Sequence, residues 1–492
     1  MPGARSIFSP PLLPVTVSTL ATVSLVAFDG LAVTAALPGI TEDLGSVGLL
    51  SGVLTGFLLA SSIATIATGP IVDALGVRRV YRVATVGFAA ATLACGLAPS
   101  MALLVAARIL QGACGGALIT AAISTVGLAY PERLRSRAFA ANSTVWGTMS
   151  FVAPGLTALL LQVTGWRAIF LVALPLVAAA AVIGWNRLPD QVGEAPATLR
   201  IDIVGLVLLG AGVALATLSL STLRWWTVAG LAAAVVALVA YWRHAGRLRA
   251  PVLERCWLAE LPWWGINLGA ALGLAAALGV DAFITIFVSA AQGRSGLVVA
   301  LSVVPLSIGW TGAALASSRL LDRYSETGVA RVAYVILLPS LAAGALLFGT
   351  TTPLWVVWVV TFVQGMGVGM LTNSMLTLLQ ARVAVARIGR ASSAHSFLRN
   401  GAHTVATAAS GAVLLAVVAD RVGDLELVQR VLAGERVPLG NEAAAAVAAG
   451  YRLAHLVAVA LAVGGLVSVT AARRHLNESR RLLRATPVGD VA

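Results

Sequence analysis

The sequence has no lysine: all 33 residues of the Lys/Arg class are arginine. That absence excludes a P-loop, whose lysine must reach nucleotide phosphates, so no ATPase of that kind is encoded here. Charge is scarce as well. Only 11% of the 492 residues are charged and 59% are hydrophobic, too little polar surface to keep a chain of this length dispersed in water. Three cysteines are too few for a disulfide framework. Cys95 and Cys114 fall in apolar blocks, and Cys256 lies in an Arg-rich loop. No metal-ligand spacing is present, and no cofactor is expected. Long polar stretches are missing too. The longest, about 186–201, 243–261 and 420–449, are too short to hold an independent core.

What the chain has is apolar blocks. From residue 12 to 38 the only charged side chain is Asp29, and from 80 to 128 the only ones are Arg82 and Arg108. A run of ~18 or more apolar residues is long enough to cross a bilayer as a helix. About fourteen such spans are expected, near 12–37, 47–71, 80–98, 101–128, 138–163, 167–185, 202–222, 225–242, 262–290, 297–317, 330–349, 353–379, 395–419 and 450–472. The first is too long for a cleaved signal peptide and carries Asp29, so it is expected to stay. Arginine clusters within 78–82, 133–137, 187–200, 243–255, 319–331, 382–390 and 473–484 all fall on one side of this arrangement. The other side holds Glu42, Asp43, the isolated Arg167, Arg224 and Arg294, and a mixed loop at 420–442. The positive-inside rule then predicts that both termini are cytoplasmic. It also explains the net charge of +13 as topology, without nucleic acid as a partner. Trp166, Trp185, Trp225, Trp226, Trp242, Trp257, Trp263 and Trp264 sit near proposed span ends, where interfacial aromatics are expected.

Several segments carry a family likeness. Residues 69–79 read GPIVDALGVRR, with Gly69, Asp73, Gly76, Arg78 and Arg79 in register. This resembles the loop motif of the major facilitator superfamily, except that Ala74 stands where a basic residue is usual. The fourth span's Arg108, Gln111, Gly112 and Gly115 are similar to the family's fourth-helix pattern. Asp29 with Ala36, Leu37, Pro38 and Ile40 resembles the first-span signature of the fourteen-span drug:proton antiporters. GWRAIFLVALP keeps Trp166, Arg167, Phe170 and Pro175 but has Ala173 where the family has Asn. The segments at 201–205 and before Pro251 resemble those flanking the two extra central spans. The loop motif recurs weakly as Asp322 and Arg323, with Ser318 replacing its glycine, and QGMGVG follows at 364–369. The fifth span departs most. It retains Gly147, Pro154 and Gly155, yet Met149, Ala153, Thr157 and Ala158 occupy positions that are usually glycine.

The resemblance implies an all-α polytopic fold of two six-helix bundles plus two extra central helices. The expected division is 1–190, 191–258 and 259–475, with a tail at 476–492. It further implies a monomeric secondary transporter in a bacterial inner membrane, exchanging protons for lipophilic or cationic small molecules by alternating access. Two alternatives stand beside this: an exporter of one endogenous lipid or secondary metabolite, and, remotely, a membrane-embedded transferase. The transferase lacks any catalytic constellation in the loops.

An ionised side chain at mid-bilayer costs ~2.5–3.5 kcal/mol on insertion scales, so each such residue is a site candidate. Asp29 and Arg108 lie roughly 15 Å and 10 Å from the same membrane face at 1.5 Å per residue, and they can meet. A desolvated carboxyl favours its neutral form and a nearby guanidinium favours the anion, so movement of Arg108 would couple to proton binding. The plainer account is a static pair that fixes helix register. Asp281 is a second proton or substrate candidate. Arg399 and His403, with His395, share one face of the thirteenth span; His403 is a candidate proton relay, with helix packing as the alternative. Gln111, Asn142, Gln364 and Asn373 are candidates for lining a cavity, with interhelical hydrogen bonding as the simpler account. Gly69, Asp73, Gly76, Arg78, Arg79, Asp322 and Arg323 are expected to form a gate, and Gly112, Gly115, Pro154 and Gly155 to pack helices. Asp202, Arg452 and His455 are expected to snorkel to the interface.

Overall fold

The computed structural model describes residues 6–45, 47–190, 201–222, 225–422 and 440–485, and all of its regular structure is helical. Arg200, Arg224 and most of the 420–442 loop lie outside the described residues, as does the seam between 190 and 201. Fourteen long helices are present among the described residues. They are α1 Leu13–Leu44, α2 Val47–Leu75, α3 Val77–Gly96, α4 Met101–Ala129, α5 Glu132–Val163, α6 Arg167–Gly184 and α7 Ile203–Thr222. Then follow α8 Thr227–Ala245, α9 Trp263–Asp281, α10 Val304–Leu320, α11 Glu326–Leu347, α12 Leu354–Arg382, α13 Ile388–Val422 and α14 Asn441–Ala485. Helices suit such segments because a backbone in hydrocarbon must satisfy its own hydrogen bonds.

Thirteen of the described segments are long and apolar enough to cross a membrane. The expected span at 80–98 is the exception: α3 has 20 residues but takes Arg78, Arg79 and Arg82 into its first turns. Helix ends also differ from the expected spans, since helices run on past the apolar segment. α13 begins at Ile388 and α14 at Asn441, earlier than hydropathy suggested. The supposed loop motif is mostly helical, with Gly69 and Asp73 on α2 and Arg78 and Arg79 on α3. Only Gly76 makes the turn, at φ 81°, a region where a side chain would be strained. The ninth span is broken. Its α-helix stops at Asp281 and resumes as a short turn, Ile284–Ile286, and a π-helix, Phe287–Ala291.

Helices α1–α6 pack on one another, as do α9–α14, while α7 pairs with α8 and leans on α13 and α2. The tightest seams in the two halves share one device. In α4, a Cβ on Gly112 or Gly116 would collide with the backbone of Phe57 or Ser61 on α2. In α12, a Cβ on Gly365 or Gly369 would collide with that of Leu306 or Trp310 on α10. Both helices carry Gln-Gly-x-x-x-Gly, from Gln111 and from Gln364. Small residues at this spacing let backbones approach closely in membranes.

Candidate functional site: a buried ion pair and a one-sided latch

The charged centre of the first half is closed and nearly saturated. Arg108 Nη1 donates to Asp29 Oδ2 at 2.6 Å, with side-chain exposures of 0% and 2%. The same Nη1 reaches Gln111 Oε1 at 2.6 Å, while Gln111 Nε2 donates to Asp29 Oδ1 at 2.9 Å and to Thr92 Oγ1 at 2.8 Å. Arg108 Nε donates to the Val53 carbonyl at 3.3 Å, and the guanidinium lies 4.1 Å from the Phe57 ring centroid. Only Nη2 is left without an acceptor. Gln111 is thus a bridge inside the pair and not a lining group. Such a pair survives burial because all but one of its polar atoms have hydrogen-bond partners.

A second polar system joins the halves at one end. Asp73 at the end of α2 accepts from the backbone N–H of Gly389 at 2.7 Å and of Arg390 at 3.0 Å, the amino end of α13. That is where a helix dipole favours a carboxylate. Gly69 makes the approach possible, since a Cβ there would overlap Ser393 and come within 2.7 Å of the Gly389 carbonyl. Arg135 donates to the Gln380 carbonyl at 2.7 Å, Gln380 donates to the Ile123 carbonyl at 2.9 Å, and Arg137 pairs with Asp322 at 2.8 Å. Glu254, in the link between α8 and α9, pairs with Arg387 and reaches Arg390 at 3.4 Å. Arg135, Gln380 and Glu254 did not stand out in the sequence. Their role arises from helix ends that meet only in three dimensions.

Other gate residues serve their own half. Arg78 donates to the Leu188 carbonyl at 2.8 Å and pairs with Asp190 at 3.0 Å, which ties α3 to the segment after α6. Arg79 and Arg323 are exposed and have no partner among the described residues. At the opposite end, Asp43 accepts from Trp166 Nε1 at 3.0 Å and pairs with Arg167, again inside the first half. Arg167, then Trp166, hold the Asp43 carboxyl below the usual carboxylate range. Among the described residues no hydrogen bond joins the halves at that end. The one nearest mid-depth is Thr311 Oγ1 to the Ser143 carbonyl, 3.3 Å.

Among the described residues the second half has no counterpart of the saturated pair. Asp281 is buried and its Oδ1 has no partner. Gln364 is fully buried with both side-chain polar atoms unpartnered. Asn373 bonds the Ala314 carbonyl at 3.1 Å and Ser317 Oγ at 2.9 Å, so it ties α12 to α10 and does not face a cavity. Asn142 is half-buried on α5. His395 Nδ1 meets Asn267 Oδ1 at 2.9 Å, and Arg399 and His403 follow on α13. Three expectations need correction. Pro154 and Gly155 face outward and pack nothing: a Cβ on Gly155 would meet no atom within 4 Å. Gly115 touches only the Phe88 and Phe57 rings, and the close approach belongs to Gly112 and Gly116. Asp202 and His455 do not snorkel. Asp202 meets His244 Nε2 at 2.8 Å, and His455 is buried edge-on to Phe348 and Tyr451.

Two packed six-helix halves with a charged pair sunk in one of them define a multi-pass membrane transporter fold. The family model of the Major Facilitator Superfamily matches residues 19–407, and the chain belongs to that family. It is 28% identical over 441 residues to the tetracenomycin C resistance and export protein of Streptomyces glaucescens, covering 86% of this chain and 78% of that protein. It is 24% identical over 399 residues to a multidrug transporter protein of Bacillus subtilis, covering 79% of this chain and 72% of that one. Its fold is similar to that of a bacterial homologue of the iron transporter ferroportin solved in an outward-facing state. There the TM-score is 0.65 at 13% identity, covering 94% of this chain and 99% of that chain. The family and its members are transporters, not enzymes.

Proposed function

We propose that this protein is a proton-coupled exporter of lipophilic, drug-like molecules in a bacterial inner membrane, working as a monomer. The observation that carries the reading is the Asp29–Arg108 pair, buried at membrane depth in a major facilitator chain whose relatives are named for drug resistance and export. The arginine-rich end that holds Asp73 is the cytoplasmic one, with both termini there. Residues 1–190 and 259–475 are the moving bundles, and 191–258 adds two helices beside them. With the latch made at the Asp73 end, the described state faces outward.

Protonation of Asp29 from outside removes the charge that holds Arg108. The pair then separates, the halves rock, and the latch at Asp73 opens to the cytoplasm, where the proton leaves and cargo enters. One proton moving inward through ~100 mV supplies ~2.3 kcal/mol, enough to concentrate cargo some tens of fold. The test is efflux of a fluorescent lipophilic substrate driven by an imposed pH gradient in proteoliposomes. Asp29→Asn should lower gradient-driven export at least tenfold while leaving downhill exchange in place. Export by Asp29→Asn with an unchanged pH dependence would falsify the coupling role. Asp281→Asn, run in parallel, tests whether the second buried carboxyl carries protons as well.

A further inference from the structure

The charge of the cargo can be read from the second half, given the export reading above. His395, Arg399 and His403 follow one another at one-turn spacing along one face of α13. Arg399 lies close enough to both imidazoles to act on them electrostatically. Yet Arg399 makes no hydrogen bond or ion pair among the described residues, and its Nε is buried without an acceptor. His395 spends Nδ1 on Asn267 and leaves Nε2 buried and unpartnered. His403, half-buried, has no partner among the described residues either.

Arg399 is thus a charged donor with nothing to receive it, one turn from the half-buried His403 imidazole. A carboxyl can relieve burial by taking up a proton, but a guanidinium keeps its charge. Arg399 is half-buried, so its outer nitrogens reach open space. No acid answers it. Asp29 is already matched by Arg108. Asp281 is buried beside Tyr451, whose ring stacks on Phe287 and Phe348 in a closed aromatic cluster. The buried Arg135 is different, because backbone carbonyls take its protons. Among the described residues, the accessible and uncompensated charge within the spans is therefore positive.

We propose that Arg399, supported by His403, binds the oxyanion of a lipophilic organic acid, and that the exported cargo is anionic where the family likeness suggested a lipophilic or cationic one. A planar guanidinium suits a carboxylate because it can donate two parallel hydrogen bonds. The choice changes the energetics of export. A proton moving in and an anion moving out both carry positive charge inward, so membrane potential alone drives the exchange. One-for-one exchange of a proton for a monovalent cation moves no net charge.

The experiment uses the purified full chain and two dyes built on one xanthene ring, a fluorescein-type carboxylate and a cationic rhodamine ester. Fluorescence polarisation should show the anion binding at least about tenfold tighter than the cation. Arg399→Gln should weaken the anion about tenfold or more and leave the cation unchanged, and Arg399→Lys should restore part of the loss. His403→Gln, which keeps the guanidinium, should weaken the anion by a smaller factor and guards against misfolding of the first variant. Tighter binding of the cation, no binding of the anion by wild type, or equal loss of both dyes in Arg399→Gln overturns the proposal. In proteoliposomes without a pH gradient, an imposed potential should drive efflux of the anion. If the anion binds but is not moved, the export reading fails and the site stands. If the cation is exported and the anion does not bind, the site fails and export stands.

Discussion

The two halves carry the same helix-packing motif but load it with different polar groups. In α4, Gln-Gly-x-x-x-Gly follows Arg108 by one turn, and Gln111 links that arginine to Asp29. In α12 the corresponding place, three residues before Gln364, is Thr361, whose hydroxyl bonds only its own helix at Val357 and Trp358. Gln364 is left with neither polar atom partnered. The backbone device is shared and the chemistry is not. Close packing is thus a requirement of the fold, while the saturated charge pair is an addition to one half.

The comparison can be broken most forcefully at the pair. Removing one partner of a buried ion pair costs ~3–5 kcal/mol, because a charge is left uncompensated. Arg108→Gln should lower unfolding stability in micelles by about that much. Asp29→Asn added to it should recover most of the loss, whereas Thr361→Val should stay within ~1 kcal/mol. Failure of the double substitution to recover stability would mean that the pair is not the reason for the loss.

A smaller and symmetric effect is expected at the glycines. Gly112→Val and Gly365→Val each push a side chain into facing backbone and should cost ~1–3 kcal/mol, measured the same way. Gly155→Ala, in open space, should be neutral or slightly stabilising. Unequal losses at Gly112 and Gly365 would show that the two seams do not bear equal load.

The smallest effects belong to the latch. Asp73→Asn weakens two charge-assisted bonds and should shift the conformational balance by ~1–2 kcal/mol toward opening at that end. Glu254→Gln and Asp322→Asn remove part-exposed pairs and should shift it by ~1 kcal/mol or less. Distances between spin labels placed on α5 and α10 near Arg137 and Asp322 would report the change. Equal shifts from all three variants would contradict the ranking.

Much of this was legible beforehand, for definite reasons. The spans follow from hydropathy, because a lipid-facing helix must be apolar along most of its length. Asp29 and Arg108 stood out because a charge in such a run is costly enough to need a cause. Glu254 and Gln380 gave no signal. One sits in a polar link and the other at a helix end, where their residue types are ordinary. Gly116 was hidden for a different reason: in a glycine-rich helix, composition does not tell which glycine faces the neighbour. Asn373 was open to two readings, a cavity-lining group or an interhelical hydrogen bond, and its acceptors across the seam are those of the second, simpler one.

The order of apolar and basic segments along the chain was enough to determine a many-helix membrane protein and the likeness of its two halves, since insertion into a bilayer reads local properties of each segment. Which end is latched, which arginines are matched by acids and which one within the described spans stands unanswered were decided only by tertiary structure. Hydrogen bonds act over about 3 Å, and no pattern in one dimension says which helices come that close.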